Sequence, residues 1–377
     1  MRARAVRQPA AEAEHGPPLG PELPPGTIAV CLATFDPDQK LLARQINSLR
    51  AQSDERWFCL ISDDCSAPDR YAELLAVVGQ DPRFFVSRSE VRLGFYRNFE
   101  RVLHMLPDGA SLVALCDQDD SWHPDKLEVL RAELGSAQLV YSDQRLVTAE
   151  GDVLRETLWR GRSNNHTNLA SLLIANTITG AASLMRRDAV ARALPFPETN
   201  GYKFHDHWLA LVALASGRIS YVDRPLYDYV QHPGAVFGDV SGGDDRGQQR
   251  RLARDHHLAE RWRAAYVYGY LARAAQAQTL LSRTGTMITP QKRRALSWFI
   301  AAERSPLAFG WLVARSLRRF WGRNETLGSE LELAQGIVWR WLSTLQERTS
   351  SSRRIARDPP ALAAFSQKRL RRWRARV

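Results

Sequence analysis

Cysteine is scarce in this sequence, and no two cysteines form a CxxC pair. The four that occur in 377 residues are Cys31, Cys59, Cys65 and Cys116. A scaffold held together by disulfides, or a zinc site built on paired cysteines, needs closer and more regular spacing. The scarcity therefore favours a protein of the reducing cytoplasm.

Long apolar runs are also missing. The N-terminal stretch MRARAVRQPAAEAEHGPPLGPELPPG lacks the apolar core of a secretory signal, and its composition predicts a disordered leader over residues 1–26. No apolar run reaches the length of about 18 residues that a membrane-spanning helix needs, so we expect none. The nearest candidate, at 296–313, is interrupted by Glu303, Arg304 and Pro306.

Several signatures of nucleotide-binding and hydrolytic enzymes are absent as well. No GxGxxG follows the first apolar run, which argues against a dinucleotide-dependent dehydrogenase. The motifs GxxxxGKS/T, HExxH and GxSxG do not occur either, which excludes P-loop enzymes, zincin proteases and α/β-hydrolases. An anion bound by this chain is therefore not cradled by a glycine-rich loop.

Basic residues are in excess, and they are unevenly placed. The formal net charge is +11, with the surplus in residues 241–377 and a mildly acidic region before it. Arginine mixed with tryptophan and phenylalanine at 298–323 suits an interfacial helix on anionic lipid. A helical packing extension, a dimer contact or a solvated basic surface accounts for the composition equally well. No nucleic-acid-binding motif accompanies the charge, so we expect no nucleic acid partner.

From residue 27 onward, apolar runs alternate with segments of helical periodicity. Five short apolar runs predict buried strands, at 27–33, 57–62, 83–88, 111–116 and 137–143. Between them, leucines and aromatic residues recur at helical spacing, which predicts an α/β fold with a mostly parallel sheet flanked by helices. We predict that this domain covers 27–240 and that a basic, mostly helical extension covers 241–377.

The predicted strands end in unusually acidic segments. The acidic residues at these ends are Asp36, Asp63, Asp64, Asp117, Asp119 and Asp120. Like charges this close repel, and partial burial adds to the cost. The carboxyl ends of parallel strands meet at the ligand-binding edge of a sheet. Because carboxylate oxygens suit hard divalent cations, Mg²⁺ or Mn²⁺ carrying a phosphate is expected there.

The order of these motifs resembles the inverting family-2 glycosyltransferases, which have the GT-A fold. Eight stretches match in order: CLATFDP, ISDDCSAPD, LGFYRNFERVL, CDQDDSWHPDKL, LVYSD, ITGAASLMRRD, HDHWLALVA and QHPG. Among subgroups, the resemblance is to bacterial rhamnosyltransferases of cell-surface polysaccharide synthesis. It spans 27–240 and leaves 1–26 and 250–377 uncovered. It implies sugar transfer from a nucleotide diphosphate donor, with Mg²⁺ or Mn²⁺ as cofactor.

The same resemblance implies a donor site at the strand ends. Its residues would be Ala33, Thr34, Phe35, Asp64, Arg97, Asn98, Asp117, Asp119 and Asp120. Phe35 stands where the family usually has a tyrosine beside the base, and Asp64 would accept from the pyrimidine ring. Asp119 would contact the metal directly, Asp117 would reach the ribose or metal-bound water, and Asp120 would be a second ligand. A solvated helix face is the alternative for Arg97 and Asn98.

HDHW at 205–208 resembles the segment that supplies the catalytic base. An inverting transfer needs one carboxylate to deprotonate the acceptor hydroxyl, and Asp206 occupies that place. A helix cap is the alternative for Asp206. A metal site of Asp206 with His205 and His207 is disfavoured, because residues one or two apart on a helix do not face together.

Two further segments complete the site that the resemblance implies. His232 would bind the diphosphate or the metal, with a loop histidine bonded to backbone as the alternative. Thr179 and Gly180, with His205, would shape the acceptor pocket, and a tight turn before a strand is the alternative for the first two.

The resulting expectation is a metal-dependent inverting glycosyltransferase. Its donor would be dTDP-L-rhamnose and its acceptor a hydroxyl of a growing, lipid-linked glycan, at the inner face of the plasma membrane or in the cytoplasm. Two other classes remain open. A nucleotidyltransferase would usually carry a glycine-rich basic loop after the first strand, and ATFDPDQK contains no glycine. A non-catalytic membrane- or nucleic-acid-binding protein would have no nucleotide affinity.

Overall fold

The computed structural model describes residues 23–158, 163–198, 204–232 and 258–351. Most of the predicted leader and both ends of the predicted extension at 241–377 lie outside these ranges. The last leader residues are placed against the domain, since the backbone carbonyl of Gly26 accepts a hydrogen bond from Arg131.

The described chain up to residue 232 is an α/β unit. Its strands are β1 (Ile28–Thr34), β2 (Trp57–Asp63), β3 (Phe84–Arg88), β4 (Leu112–Cys116), β5 (Ser121–Trp122), β6 (Leu139–Thr148), β7 (Val153–Arg155), β8 (Ser183–Arg186) and β9 (Ile219–Gln231). Its helices are α1 (Gln39–Arg50), α2 (Pro68–Val78), α3 (Phe95–His104), α4 (Lys126–Leu134), α5 (Leu169–Ile174), α6 (Arg187–Ala193) and α7 (His205–Ser216). The alternation predicted from the apolar runs is confirmed.

One sheet carries all of these strands, in the order β3-β2-β1-β4-β8-β6-β9-β5, with β7 beside β6. The half from β3 to β4 is parallel, as predicted. The other half is mixed, because the short strands β5, β7 and β8 run antiparallel to their neighbours. The strand order reverses next to β1, and ligands of open α/β sheets lie at the carboxyl ends beside such a reversal.

The parallel strands form because their residues suit burial on both faces. Six of the seven residues of β1, and all seven of β2, are buried, which is the pattern of a sheet covered by helices on each side. The Asp38 side chain caps α1 by accepting hydrogen bonds from the backbone N–H groups of Lys40 and Leu41. The polar loops that carry the acidic residues begin where these buried strands end.

The chain from 258 to 351 is helical and shares its core with the sheet. Its helices are α8 (Leu258–Ala264), α9 (Leu271–Thr284), α10 (Pro290–Ala301), α11 (Pro306–Arg315) and α12 (Ser329–Ser351), with a π-helical turn at Ala265–Tyr270 and a 3-10 helix at Ser316–Trp321. Lys292 Nζ donates to the carbonyls of Leu214 and Gly217 at 2.6 Å. Arg273 Nε donates to the carbonyl of Ile174 at 2.9 Å. These bonds fasten the extension to α7 and α5.

A helix needs about 20 mostly apolar residues to cross the hydrocarbon core of a bilayer. Among the described residues, no helix is long and apolar enough to cross a membrane.

Candidate active site

The turn after β2 is organised by the buried carboxylate of Asp63. Its oxygens accept hydrogen bonds from Thr34 Oγ1 at 3.2 Å, from the Ser66 N–H at 3.0 Å and from the Ser66 hydroxyl at 2.5 Å. Ser66 Oγ in turn accepts from the N–H of Asp36 at 2.8 Å. The acidic ends of β1 and β2 are therefore joined, and Asp63 acts as a structural neighbour of the site.

Asn98 ties the same two strands together from α3. Its Nδ2 donates to the carbonyls of Ser62 at 2.9 Å and Thr34 at 3.2 Å, while its Oδ1 accepts from the Ser62 hydroxyl at 2.6 Å. The side chain is 2% exposed. Asn98 is therefore placed to hold the strand ends, and its amide group is occupied within the protein rather than turned outward.

Arg97, its neighbour on α3, faces a different surface. Its guanidinium forms ion pairs with Glu100 and Glu198 and donates to the carbonyl of Phe196 at 3.3 Å. These partners, two of them on the segment after α6, hold Arg97 in a salt-bridged helix face. Nothing in this arrangement brings Arg97 to the acidic strand ends.

Phe35 follows β1 and is held in place by Gln118, the residue between Asp117 and Asp119. Gln118 Oε1 accepts from the Phe35 N–H at 2.9 Å, and Gln118 Nε2 donates to the Phe35 carbonyl at 3.2 Å. The guanidinium carbon of Arg92 lies 3.9 Å from the centre of the Phe35 ring. Sequence reasoning missed both partners, although Gln118 stands between the two predicted aspartates. Ala33 is half-buried in β1 and pairs with Ser62 across to β2.

Asp64 is 2% exposed and anchors the loop that precedes α3. Its two carboxylate oxygens accept hydrogen bonds from the backbone N–H groups of Leu93 at 2.6 Å and Gly94 at 2.8 Å. Burial raises the pKa of Asp64 above its usual value. The loop that carries Arg92 is thus fixed to the strand end beside Phe35, where the predicted base contact would lie.

The three carboxylates after β4 point in different directions. Asp117 is half-buried, and the Asp119 side chain is 23% exposed, whereas Asp120 is fully buried. Asp120 Oδ1 accepts from the Val230 N–H at 3.3 Å, and its Oδ2 is buried with no hydrogen-bond partner. Burial and the neighbouring charges of Asp119 and Asp117 raise the pKa of Asp120 well above its usual value. Asp120 is therefore the buried member of the cluster, whereas Asp117 and Asp119 are partly exposed.

The charge of the cluster extends to α7. Burial, followed by the charges of Asp119 and Asp206, raises the pKa of Asp117 to about 7. Three carboxylates from two distant segments, Asp117, Asp119 and Asp206, therefore repel one another. A cation placed among them would relieve this repulsion.

His232 closes the site from the far end of β9. Its Nε2 lies 2.8 Å from Asp119 Oδ2, and this contact raises the pKa of His232. The two residues are 113 positions apart in sequence. Each was predicted for the site, but the pairing itself follows from the run of β9 alongside β6 and β5.

Lys126 is a buried cation beneath the acidic cluster, and sequence reasoning missed it. The side chain is fully buried; its Nζ donates to the carbonyl of Ala181 and lies 3.5 Å from the Trp122 ring centre and 4.6 Å from that of Tyr227. Burial lowers the pKa of Lys126 to about 7, against the charges of Asp120 and Asp117. Its position at the start of an amphipathic helix predicted nothing of this kind.

Asp206 lies in the first turn of α7, with Phe204 as the N-cap residue. Its Oδ1 accepts from the His207 N–H at 2.6 Å. His205 is stacked on Phe99 with ring centres 3.7 Å apart, and burial lowers its pKa to about 3, so it is neutral at physiological pH. His207 is fully buried and its Nε2 bonds to the carbonyl of Leu172. The two histidines point away from each other, which fits no metal site with Asp206.

Gly180 packs directly against this helix start. A Cβ atom added at Gly180 would lie 3.1 Å from His205 Nε2, 3.2 Å from Leu115 Cδ1 and 3.3 Å from Asp206 Cβ. Thr179 is half-buried, and its carbonyl accepts from Ala182 at 3.2 Å in the 3-10 turn that leads to β8. The glycine therefore permits a close approach that sets where Asp206 stands.

The acidic side chains at the strand ends are the candidate ligands for a divalent cation. Within the described ranges, no three histidine, cysteine or acidic side chains converge on one point. Mg²⁺ is usually held by one or two carboxylates together with substrate phosphates and water, so a complete protein cage is not required. The partly exposed Asp117 and Asp119 supply two such carboxylates, which fits Mg²⁺ or Mn²⁺ completed by a diphosphate.

Comparison with known proteins gives one match to a family model. Residues 29–194 match the family described as "Glycosyl transferase family 2". This range begins in β1 and ends after α6, and so contains the acidic ends of β1, β2 and β4. Asp206 and His232 lie outside it.

Solved structures of S. aureus TarS are among the similar chains. The structure of TarS 1–349 in complex with UDP-GlcNAc shares 16% identity, covers 84% of this chain and 92% of that chain, and gives a TM-score of 0.48. The TarS 1–349 structure without a named ligand shares 16% identity, covers 84% and 91%, and gives 0.46.

A curated relative comes from Sinorhizobium fredii (strain NBRC 101917 / NGR234). "Uncharacterized protein y4gI" is 25% identical over 237 residues, which are 62% of this chain and 25% of that protein. The match therefore spans about a quarter of the length of that relative.

Proposed function

We propose that the protein is a family-2 glycosyltransferase, as the match of residues 29–194 to that family model supports, and that it transfers a sugar, with inversion, from a nucleotide diphosphate donor to an acceptor hydroxyl. The observation that carries the proposal is the approach of Asp206 to the end of β4: one point beside Gly180 lies 3.3 Å from Asp206 Cβ and 3.2 Å from Leu115 Cδ1, and Asp117 and Asp119 follow soon after Leu115 in the chain. Two of these carboxylates follow β4, where the donor diphosphate would lie. The third comes from α7 and is available for the acceptor.

On the donor side, the base would lie against Phe35 at the end of β1. Arg92 covers that ring, and its loop is fastened to Asp64. A base stacked on Phe35 would move the Arg92 guanidinium outward and lie against the loop that Asp64 anchors, and we propose Asp64 as the acceptor for its ring N–H. When bound, Mg²⁺ or Mn²⁺ would offset the negative charge that develops on the departing diphosphate. Asp119 and Asp117 would hold it, with His232 orienting Asp119.

On the acceptor side, Asp206 would act as the general base. It would take the proton of the acceptor hydroxyl as the acceptor oxygen bonds to the anomeric carbon and the bond from that carbon to the diphosphate oxygen breaks. The first-turn position places the carboxylate at the positive end of the α7 dipole, which favours its charged form. His205 stays neutral beside it and would line the acceptor pocket with Gly180.

The substrate identity follows from resemblance and is proposed on that basis. We propose dTDP-L-rhamnose as donor and a lipid-linked, cell-surface glycan as acceptor, with the protein working at the cytoplasmic face of the membrane. A nucleotidyltransferase is disfavoured, because the segment after β1 has no glycine-rich basic loop.

Nucleoside diphosphate release tests the reaction class and names the donor. Purified protein is incubated with dTDP-L-rhamnose, UDP-GlcNAc and other nucleotide-sugars, in Mn²⁺, Mg²⁺ or EDTA. The expected result is slow, metal-dependent hydrolysis of one donor without any acceptor. Silence with every donor, together with no thermal shift on adding nucleotides, would reject the proposal. Release in EDTA equal to that in metal would reject its metal dependence alone.

Replacing Gly180 by alanine tests the placement of Asp206. The new methyl group would stand 3.1 to 3.3 Å from His205 and Asp206, tighter than ordinary contact, and should push the base from its position. The neighbours would have to shift by a few tenths of an ångström, so we expect kcat to fall by less than the roughly hundredfold that a 1 Å misplacement costs. Gly310→Ala is the matched control, because nothing lies within 4 Å of its added Cβ. Equal activity of the two variants would contradict the close-approach role.

A further inference from the structure

An exposed apolar stripe runs along α11 and the 3-10 helix that continues it. It consists of Leu307, Ala314, Leu317, Phe320 and Trp321, which follow one another at roughly helical spacing. Leu307 is 79% exposed, Leu317 48%, Phe320 70% and Trp321 74%. Large side chains this exposed, grouped along one helical face, mark an interaction surface rather than scattered surface residues.

A cavity rich in arginine adjoins the stripe. It has a volume of about 200 Å³, and Arg315, Arg319 and Arg323 line it together with Asn324 and Thr326. Arg315 Nη2 donates to Ser171 Oγ at 2.6 Å, and its Nε is buried without a hydrogen-bond partner. Within the part of the chain that the structure describes, none of the three arginines forms an ion pair. The charges of the buried Glu325 and Glu330 partly offset that of Arg315, whereas Arg319 and Arg323 are exposed, so these two carry the net positive charge of the arginine cavity.

The segment that forms this surface carries charge of one sign only. No aspartate or glutamate occurs between Glu303 and Glu325, and Glu325 is paired with Arg318 at 2.8 Å. A second copy of this chain would bring the same charge and be repelled. The sequence of the C-terminal tail, KRLRRWRARV, is basic as well and does not complement the arginine cavity. The matching partner is anionic and also offers an apolar layer.

We propose that the apolar stripe and the arginine cavity dock the protein on an anionic lipid bilayer, with a lipid phosphate in the cavity. An interfacial helix that carries aromatic and leucine side chains with arginine beside them binds such a surface in two ways. The apolar side chains are buried in the bilayer, and the arginines are attracted to the anionic headgroups. A nucleic acid would use the arginines but leave Leu307 and Leu317 without an apolar partner. The docking itself does not depend on the proposed transferase activity.

The docked surface is linked to the proposed acceptor side. Arg315 and Arg318 both donate to Ser171 on α5. The chain leads from the end of α5 to Gly180 and so to the position of Asp206. Where the proposed function holds, a bilayer bound here would present a lipid-linked acceptor from the α5 side of the domain.

Vesicle binding by the full chain tests the proposal. Two double variants, Phe320→Ser with Trp321→Ser and Arg319→Glu with Arg323→Glu, are compared with wild type by cosedimentation. The vesicles contain phosphatidylglycerol with phosphatidylcholine, or phosphatidylcholine alone. Wild type should prefer the anionic vesicles, and each double variant should bind them at least about tenfold more weakly, since each arginine near such a surface contributes about fivefold. The altered residues lie at the surface, so thermal unfolding should stay unchanged.

Matched controls separate this surface from general charge and hydropathy. Leu154→Ser removes an apolar side chain that is 53% exposed on β7, and Arg70→Glu reverses a charge on α2 that is 43% exposed. Both should bind vesicles as wild type does. Unchanged binding of both double variants would overturn the proposal, as would equal affinity of wild type for neutral vesicles. Tighter binding to single-stranded RNA, lost in the same variants, would also overturn it. Vesicle binding without donor turnover would reject only the proposed activity.

Discussion

Asp206→Asn is expected to lower kcat for sugar transfer by about a thousandfold, in the middle of the range for losing a general base. Asparagine keeps the shape of the side chain, and its oxygen can still accept from the His207 N–H, so α7 should start as before. It cannot take the proton of the acceptor hydroxyl. Donor binding depends on residues of other segments, so the KM for the nucleotide-sugar should change little.

Steady-state release of nucleoside diphosphate, with thermal unfolding beside it, checks this result. Asp188→Asn is the matched control, because Asp188 is also an acid in the first turn of a helix and is exposed. If Asp206 only favours the helix start, both variants should lose up to about 1 kcal/mol of stability and neither should lose activity. Full activity of Asp206→Asn would remove it as the base.

Asp119→Asn is expected to abolish the effect of the divalent cation. The variant keeps only Asp117 of the two carboxylates proposed to hold the cation. We expect the rate to fall by about a hundredfold, which corresponds to a loss of about 3 kcal/mol of transition-state stabilisation. The apo protein should lose little stability, since the remaining carboxylates repel each other less. In wild type, Mg²⁺ at a hundred times its Kd should add about 2.7 kcal/mol to the free energy of unfolding, and the variant should lack this gain.

Thermal unfolding with and without Mg²⁺ or Mn²⁺, and donor hydrolysis in the same buffers, give the two readouts. His232→Gln separates the two roles of Asp119, because it breaks the 2.8 Å contact and leaves the carboxylate in place. It should keep the cation effect and lose about tenfold in rate. A cation-dependent rise in stability that survives in Asp119→Asn would place the metal elsewhere.

The predicted α/β half of the fold was recoverable because its signals are local. Apolar runs of five to seven residues mark β1, β2, β3 and β4. The antiparallel strands were missed, because β5, β7 and β8 have two to four residues and become strands only by pairing with β9, β6 and β4. A strand that short has no periodicity of its own to read.

In the candidate site too, some features could be predicted from the sequence and others could not. That Asp117 and Asp119 end a buried strand could be read directly, since the apolar run stops where the acids begin. Asp120 follows the same run, yet it turns inward to the Val230 N–H. Its direction is set by the turn into β5, which is held to β9 by pairing with Asp228 and Tyr227. Residue type and spacing gave no sign of that turn.

Taken alone, the sequence determined which chemistry is present: carboxylates at the ends of β1, β2 and β4, a further acid at 206 and a histidine at 232. Their order carried the family resemblance. Only the tertiary structure decided which of them meet. His232 contacts Asp119 across 113 residues of sequence, the Lys126 side chain is fully buried, and Asn98 bonds to the ends of two strands. Local sequence patterns determine burial and secondary structure. The direction in which a polar side chain points depends instead on distant segments that the fold brings next to it.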